Sequence, residues 1–210
     1  MSTNKYTVTI GRQYGSGGRL IGKALSQSLG IEFYDKDLIT LAAKKHGMNE
    51  KIFESVDERP TNSLLYSLAM GAYGIDGSYS YWGDVSMPLN DKVFQIQADL
   101  ILELSEQQSC VIVGRCADYV LRDRDNVINI YLYADFDYRV NRAIAEYNIP
   151  SDKAADMVKK TDKKRASYYN FHTNKSWGDL DNYSIALNTG LLGEEKAVKI
   201  LKEYIEMRLK

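Results

Sequence analysis

Four glycines fall within eight residues near the start of the chain, in the stretch Gly11–Gly18. A β-branched run, residues 7–10, precedes them, and a helical pattern of apolar residues follows. A strand, a glycine loop and a helix in this order aim backbone N–H groups and a helix N-terminus at a phosphate. An ordinary turn between a strand and a helix, the alternative, needs a single glycine. The residues expected to hold a phosphate here are Gly11, Arg12, Gly15, Ser16, Gly17 and Gly18.

The loop departs from the two common nucleotide-binding motifs. The Walker A pattern GxxxxGK[ST] uses its lysine on the phosphates and its hydroxyl on Mg²⁺. If Gly17 is the final glycine of that pattern, Gly18 stands at the lysine and Arg19 at the hydroxyl; if Gly18 is, Arg19 and Leu20 take those places. The dinucleotide fingerprint fails because its third glycine would be Leu20. The loop therefore predicts a phosphate without saying which one, and Arg12 and Arg19 flank it as cationic donors.

Two further polar groups follow predicted strands. Arg115, after Gly114, has a guanidinium suited to gripping a phosphate or a base edge, although a surface arginine is the alternative. Asp118 is expected either to orient a substrate hydroxyl or to cap the next helix. The second group is Asp35, Lys36 and Asp37, where a carboxylate can hold a nucleotide or a metal-bound water. Helix capping explains Asp35 equally well.

A basic helix is predicted late in the chain, over residues 152–169. Residues three and four apart share a helix face, so several of its cations can point together. A basic helix that closes over transferring phosphates excludes water and stabilises charge, whereas a solvated charged helix is the alternative. The charge-bearing candidates on it are Lys160, Asp162, Lys163, Lys164 and Arg165, with Arg139 and Arg142 one helix earlier.

The elements that must position these residues alternate between strands and helices. Strands are predicted over 6–11, 32–34, 110–113, 127–134 and 183–187, and helices over 18–29, 36–45, 49–56, 90–108, 136–147, 152–169 and 194–209. This alternation predicts an α/β fold of three layers, a five-stranded parallel sheet with helices on both faces. Ligands bind beyond the carboxyl ends of such strands. The groups above, together with Asn188, Thr189 and Gly190 after the last strand, should therefore meet in one crevice.

Composition narrows the class of protein. The 210 residues fit one domain, and a net charge of −1 points to neither nucleic acid nor an anionic membrane as a partner. Apolar runs stay well short of the roughly 18 residues of a membrane span, and the polar start has no leader pattern. Two cysteines and two histidines suggest neither a disulfide framework nor a metal cluster. A cytoplasmic protein without a protein-built metal site is expected.

Residues 57–89 form a stretch of different composition. They contain two of the three prolines and the aromatic run Tyr73–Gly83. A loop this long inside a domain is usually functional or disordered, and its aromatic content argues against simple disorder. We expect a mobile segment that covers a substrate or a partner chain. The partner chain would be a second copy of this protein in a homodimer. A floppy insertion without a function is the alternative.

The order of these pieces resembles the cytidylate kinase group of nucleoside monophosphate kinases, and most closely its cytidylate-kinase-like branch with a P-loop fold. The resemblance runs nearly end to end. Its most specific segments are GRQYGSGGRLIG, FYDKDLI, VIVGRCADYVL, TDKKRASYY and DNYSIALNTG. It implies a single domain with a core over 1–56 and 90–210 and a helical lid over about 150–180.

The resemblance also implies residue roles. The glycine loop, Gly15–Gly18 with Arg19, would cradle the phosphates of ATP, and Arg115 would bind the acceptor. Asp162 and Arg165 match the second half of the lid pattern R-x-x-x-D-x-x-R, and residues 188–190 would lie against adenine. The chain departs from the expected pattern at four places. The loop has no lysine where the standard motif has one, as in some relatives with a GSGTT-type loop. Lys36 replaces a serine, Val158 replaces the first lid arginine, and Cys116 replaces the aspartate of Gly-Arg-Asp, with Asp118 as a stand-in.

Two functions from different classes follow. The first is phosphoryl transfer from ATP, with Mg²⁺, to a nucleoside monophosphate, CMP or dCMP before others, or to another small acceptor. The second is a nucleotide-binding sensor or interaction module that does not catalyse, suggested by the absent lysine and the tyrosine-rich segment. A dehydrogenase is disfavoured because the third glycine of its fingerprint is missing.

Overall fold

A computed structural model of the chain describes residues 5–35 and 89–210. The helices predicted over 36–45 and 49–56 lie outside the described residues. So do the candidate site residues Lys36 and Asp37 and almost all of the segment 57–89. The description below concerns the remaining elements.

The described residues form five strands close to those predicted, seven α-helices and a short 3-10 helix (Leu180–Asn182). The strands are β1 (Thr7–Arg12), β2 (Glu32–Tyr34), β3 (Cys110–Val113), β4 (Val127–Tyr133) and β5 (Ile185–Asn188). The helices are α1 (Gly18–Leu29), α2 (Leu89–Gln107), α3 (Ala117–Val120), α4 (Phe136–Tyr147), α5 (Ser151–Thr173), α6 (Thr189–Leu192) and α7 (Glu194–Arg208). The short helices α3 and α6 were not predicted, and α5 continues four residues beyond its predicted end.

The five strands pair in the order β2-β3-β1-β4-β5, and every pairing is parallel. Strand β1 is central, with Thr7 opposite Cys110 on one side and Val127 on the other. The predicted five-stranded parallel sheet is therefore confirmed. All five carboxyl ends lie at one edge of the sheet, where the loops after β1, β2 and β3 begin.

Helices cover both faces of the sheet, which confirms the three-layer arrangement. On one face α1 and α7 pack against β1 and β4, with Leu25 and Leu201 fully buried. On the other face α2 packs against β3 and α3. Strand β3 is apolar throughout because Cys110 and Ile112 face α2 while Val111 and Val113 face α1, as expected for a strand buried on both sides.

Within the described part of the chain, none of the helices has the length and apolar composition needed to traverse a lipid bilayer.

The contact of α7 with the sheet predicts an asymmetry between two leucines. Leu201 is fully buried, whereas Leu191 is 78% exposed. Leu201→Ala should lower the free energy of unfolding by about 2–5 kcal/mol, because it removes buried methyl groups and leaves a cavity. Leu191→Ala, the matched control, should change it by less than about 0.5 kcal/mol. Urea unfolding followed by circular dichroism measures both; equal losses would contradict the assignment of α7 to the core.

Candidate active site

The glycine loop joins β1 to α1 and turns through two glycines in the left-handed region. Gly15 has φ 81° and Gly17 has φ 78°. Gly17 is also the N-cap of α1 and makes no side-chain cap hydrogen bond. The cap residue therefore offers no side-chain acceptor to the first N–H groups of α1. These groups can donate to an anion bound at the positive end of the helix.

Two buried hydroxyl groups donate hydrogen bonds to backbone carbonyls of the loop. The Thr189 hydroxyl donates to the Ser16 carbonyl (2.7 Å), and the Ser16 hydroxyl donates to the Gln13 carbonyl (2.9 Å). Both side chains are almost fully buried. The predicted binding residues Ser16 and Thr189 thus shape the loop with their side chains, and Ser16 can offer a ligand only its backbone.

The neighbouring residues after β5 have a local structural role. The Asn188 side chain accepts from the N–H groups of Gly190 (3.1 Å) and Leu191 (3.4 Å), so it caps α6. The structure does not bring Asn188 or Gly190 into either of the two cavities described below.

A carboxylate of α5 contacts the backbone of the glycine loop. Asp162 accepts the Tyr14 N–H (2.7 Å) and forms an ion pair with Arg139. Nε of Arg139 donates in turn to the Ala134 carbonyl (2.9 Å), at the end of β4. Asp162, predicted to be catalytic, therefore joins the glycine loop to α4 and α5. The sequence analysis had no signal for this contact with Tyr14, because the two residues are far apart along the chain.

A cavity of about 450 Å³ opens in front of the loop, and we call it the loop cleft. It is lined by Arg12, Gln13, Tyr14, Gly15, Gly17, Gly18, Arg19, Leu20, Asp35, Arg115, Glu146, Tyr147 and Arg165. Four of these side chains are arginines. Nε of Arg19 lies 2.8 Å from Oδ2 of the buried Asp35, so an ion pair joins the residue after β2 to the first turn of α1. The cleft has the glycine backbone and cationic side chains that a polyphosphate requires.

A second, smaller cavity lies beside the first, and we call it the aromatic cavity. It is lined by Gly11, Arg12, Gly114, Arg115, Cys116, Asp118, Arg165, Tyr168, Tyr169, Trp177 and Tyr183. Its volume is about 30 Å³, far smaller than the few hundred Å³ typical of a small-molecule site. Arg12, Arg115 and Arg165 line both cavities and so form the boundary between them.

A carboxyl group faces the aromatic cavity from the first turn of α3. The Tyr169 hydroxyl donates to Oδ2 of Asp118 (2.6 Å). Burial raises the pKa of Asp118, and the hydrogen bond from Tyr169 opposes that rise by stabilising the charged form. Burial also raises the pKa of the Tyr169 and Tyr183 hydroxyls, so both stay protonated at neutral pH.

Two predicted cations lie away from this site. Lys160 and Lys163 are exposed and line neither cavity; the Lys160 side chain, 80% exposed, lies 3.9 Å from Asp156. Helix α5 instead turns Val158, Asp162 and Arg165 towards the loop and α4. A role for the two lysines in catalysis stays a prediction that this arrangement does not support.

The sequence analysis missed the aromatic side chains of both cavities. Tyr14 and Tyr147 meet edge to face (5.5 Å between ring centroids) at the loop cleft, and Trp177 and Tyr183 flank Tyr131 at the aromatic cavity. The excess of tyrosine, 16 residues in all, was the available signal. It was assigned only to the segment 57–89.

The chain's residues fit a nucleoside triphosphate better than they fit a dedicated metal site. Gly15, Gly17 and Gly18 present backbone to the cleft, and arginines surround it. Position 19 carries an arginine where the Walker A motif has a hydroxyl for Mg²⁺. Asp35 is a carboxylate at the cleft that is able to help hold a phosphate-bound Mg²⁺, and the described residues contain no cluster of three metal-ligating side chains.

The hydrogen bond between Asp162 of α5 and the Tyr14 N–H of the loop predicts that removing the Asp162 carboxylate destabilises the protein. Asp162→Ala should lower the free energy of unfolding by about 1.5–3 kcal/mol, because it removes hydrogen bonds to a charged group. Asp156→Ala on the same helix is the control, since the Asp156 side chain is 73% exposed. Chemical denaturation of the two variants measures the difference, and equal stabilities would show that the Asp162 carboxylate contributes nothing.

The pKa of Asp118 gives a second prediction. Its midpoint, followed by carboxyl ¹³C NMR, should lie above the ordinary value of 3.8, and Tyr169→Phe should raise the pKa further because it removes the bond to the charged form. Because the folded-state pKa is raised, Asp118 stabilises the fold below pH 3.8 and loses that contribution as pH rises through the folded-state pKa. Tyr6→Phe, which lies just before the start of β1 and so at the opposite edge of the sheet from the cavity, should leave the midpoint unchanged. A lower midpoint in Tyr169→Phe would contradict the assigned hydrogen bond.

Comparison with known proteins places this site in a family. A model of the cytidylate kinase-like family matches residues 7–191. An uncharacterized protein from Eubacterium ventriosum ATCC 27560 superposes with a TM-score of 0.71 at 26% identity, over 96% of this chain and 99% of that one.

Two shikimate kinases share the fold at lower similarity. The enzyme from Bacteroides thetaiotaomicron superposes with a TM-score of 0.56 at 15% identity, over 96% of this chain and 98% of its own. The enzyme from Acinetobacter baumannii, in complex with shikimate, gives 0.51 at 15% identity, over 99% and 97%. A search of curated proteins found no match. The family match covers most of the chain, the glycine loop and both cavities, and the protein therefore belongs to the cytidylate kinase-like family.

Proposed function

We propose that this protein is a phosphotransferase that moves the γ-phosphoryl group of ATP to a nucleoside monophosphate, with CMP or dCMP as the first candidates. The observation that carries the proposal is the boundary formed by Arg12, Arg115 and Arg165 between the loop cleft and the aromatic cavity. A donor in one cavity and an acceptor in the other would exchange a phosphoryl group across these three cations. Membership of a kinase-like family and a fold shared with kinases support the same reaction class.

The loop cleft is assigned to the donor. The backbone N–H groups of Gly15–Gly18 would hold the β-phosphate, and Arg19 would add charge from the first turn of α1. Mg·ATP, when bound, supplies the phosphoryl group. An oxygen of the acceptor forms a bond to the γ-phosphorus while the bond between that phosphorus and the ADP oxygen breaks, and the bonding electron pair stays on ADP. Little covalent chemistry falls to the protein, whose residues orient the two groups and neutralise charge.

The aromatic cavity is assigned to the acceptor. Arg115 and Arg165 would grip the acceptor phosphate, whose oxygen carries no proton that a general base must remove. The rings of Tyr168, Tyr169 and Trp177 would offer faces and edges to a planar base. Because the cavity is far smaller than a nucleotide, acceptor binding requires its walls to separate, and α5 with the Trp177 loop is the part we expect to move.

A non-catalytic nucleotide-binding module is the second candidate. The narrow acceptor cavity and the absence of the usual loop lysine favour it. It predicts ATP or CMP binding without any ADP formation, whereas the kinase proposal predicts ADP release that depends on one monophosphate. The two functions are thus separated by a single assay.

That assay is ADP release, coupled to a spectrophotometric readout, across the ribo- and deoxyribonucleoside monophosphates. The wild-type protein should release ADP with CMP or dCMP, and Arg115→Ala and Arg165→Ala should each reduce kcat/KM by roughly 100- to 1000-fold, the usual effect of removing one charge-stabilising donor. Arg208→Ala, an exposed arginine at the end of α7, is the matched control and should retain full activity. Turnover in both site variants equal to wild type would remove the roles assigned to these arginines.

A further inference from the structure

The glycine loop exchanges two residue types relative to the Walker A motif. That motif, GxxxxGK[ST], begins with a glycine and places its lysine six residues later. With Gly17 as its final glycine, Arg12 stands at the first glycine and Gly18 stands at the lysine. Position 12, a glycine in the motif, therefore has a cationic side chain, and position 18, a lysine in the motif, has no side chain.

The structure gives a physical reason for this exchange. A Cβ added to Gly18 would lie 2.7 Å from Cβ and 2.8 Å from Cγ of Arg12, both too close for carbon atoms. The Arg12 Cβ is fixed by the backbone of β1 and cannot rotate away. Gly18 does not share the positive φ of Gly15 and Gly17, so space rather than backbone conformation requires a glycine there. Positions 12 and 18 therefore face each other with room for one side chain.

The Arg12 side chain carries its charge into the site. Its guanidinium extends across Gly114 at the end of β3, where an added Cβ would collide with Nη1. Arg12 lines both the loop cleft and the aromatic cavity. Its carbonyl accepts a hydrogen bond from Nη1 of Arg165 (3.2 Å), which keeps a second arginine at the same boundary.

We propose that Arg12 performs the function of the missing loop lysine: its guanidinium would bind the β- and γ-phosphates of ATP in the loop cleft. This inference rests on the proposed function, in which the loop cleft holds the donor. A guanidinium is suited to the position because its planar fork donates two parallel hydrogen bonds to phosphate oxygens and remains charged at any physiological pH. The cation enters from the end of β1 instead of the first turn of α1.

The test uses the steric exclusion between the two positions. Arg12→Gly removes the cation and should weaken Mg·ATP binding at least tenfold, measured by isothermal titration calorimetry, and reduce turnover roughly 100- to 1000-fold. Gly18→Lys alone introduces the clash and should lower the melting temperature. The double variant Arg12→Gly/Gly18→Lys restores the motif arrangement and should recover at least tenfold in ATP affinity over Arg12→Gly.

A second double variant is the matched control. Arg12→Ala/Gly18→Lys supplies the same lysine but keeps the Cβ that lies 2.7 Å from the new side chain. It should recover neither the ATP affinity nor the melting temperature. Circular dichroism and melting curves for every variant separate loss of binding from loss of folding.

The results distinguish this inference from the proposed function. ATP affinity in Arg12→Gly equal to wild type, or an Arg12→Gly/Gly18→Lys variant no better than Arg12→Gly, would overturn the role of Arg12 even if the protein is a kinase. Failure of the wild type to release ADP with any monophosphate would overturn the kinase proposal, while the ATP affinities would still decide the role of Arg12. A wild type that binds no ATP would overturn both.

Discussion

The shape of the glycine loop is the constraint on which the rest of the site depends. Gly15 and Gly17 have no side chains with which to hold the loop, so other elements hold its backbone. The Ser16 carbonyl accepts from Thr189 after β5, and the Tyr14 N–H donates to Asp162 of α5. These contacts join residues 148 to 173 positions apart. The shape of the loop therefore depends on contacts with the residue after β5 and with α5.

The electrostatics of the site are local and do not appear in the overall composition. The chain has a net charge of −1, yet four arginines line the loop cleft. Like charges gathered in a cleft repel one another, and a bound anion relieves that repulsion. Asp35 compensates Arg19 at the rim (2.8 Å), which orients one of the four without filling the cleft. The described lining of the cleft carries four arginines against two carboxylates, Asp35 and Glu146, and this excess of positive charge favours a polyanionic ligand.

The sequence predicted those features that depend on local pattern. Apolar strands, glycines and helix periodicity predicted the sheet and the position of the loop, since each depends on neighbours in the chain. The rotation of α5 about its axis was not predicted, although Ala154 and Val158, both fully buried, identify its inward face. That face also carries Asp162 and Arg165, whereas Lys160 and Lys163 lie on the exposed side. The contact of Asp162 with Tyr14 and the aromatic cavity depend on tertiary packing, which no local pattern records.

Two of the four departures, at positions 116 and 18, have a common physical interpretation. Position 116 carries a cysteine in place of an aspartate, and this residue is buried with φ 54° at the start of α3. Asp118, two residues later, faces the same aromatic cavity and accepts from Tyr169. In the loop, likewise, a side chain at position 12 fills the space that one at position 18 would need. In both places the charged group enters the cavity from a different backbone position. Under the role proposed for Arg12, a motif constrains the location of charge in space, and a comparison of single positions would mistake such a displacement for a loss.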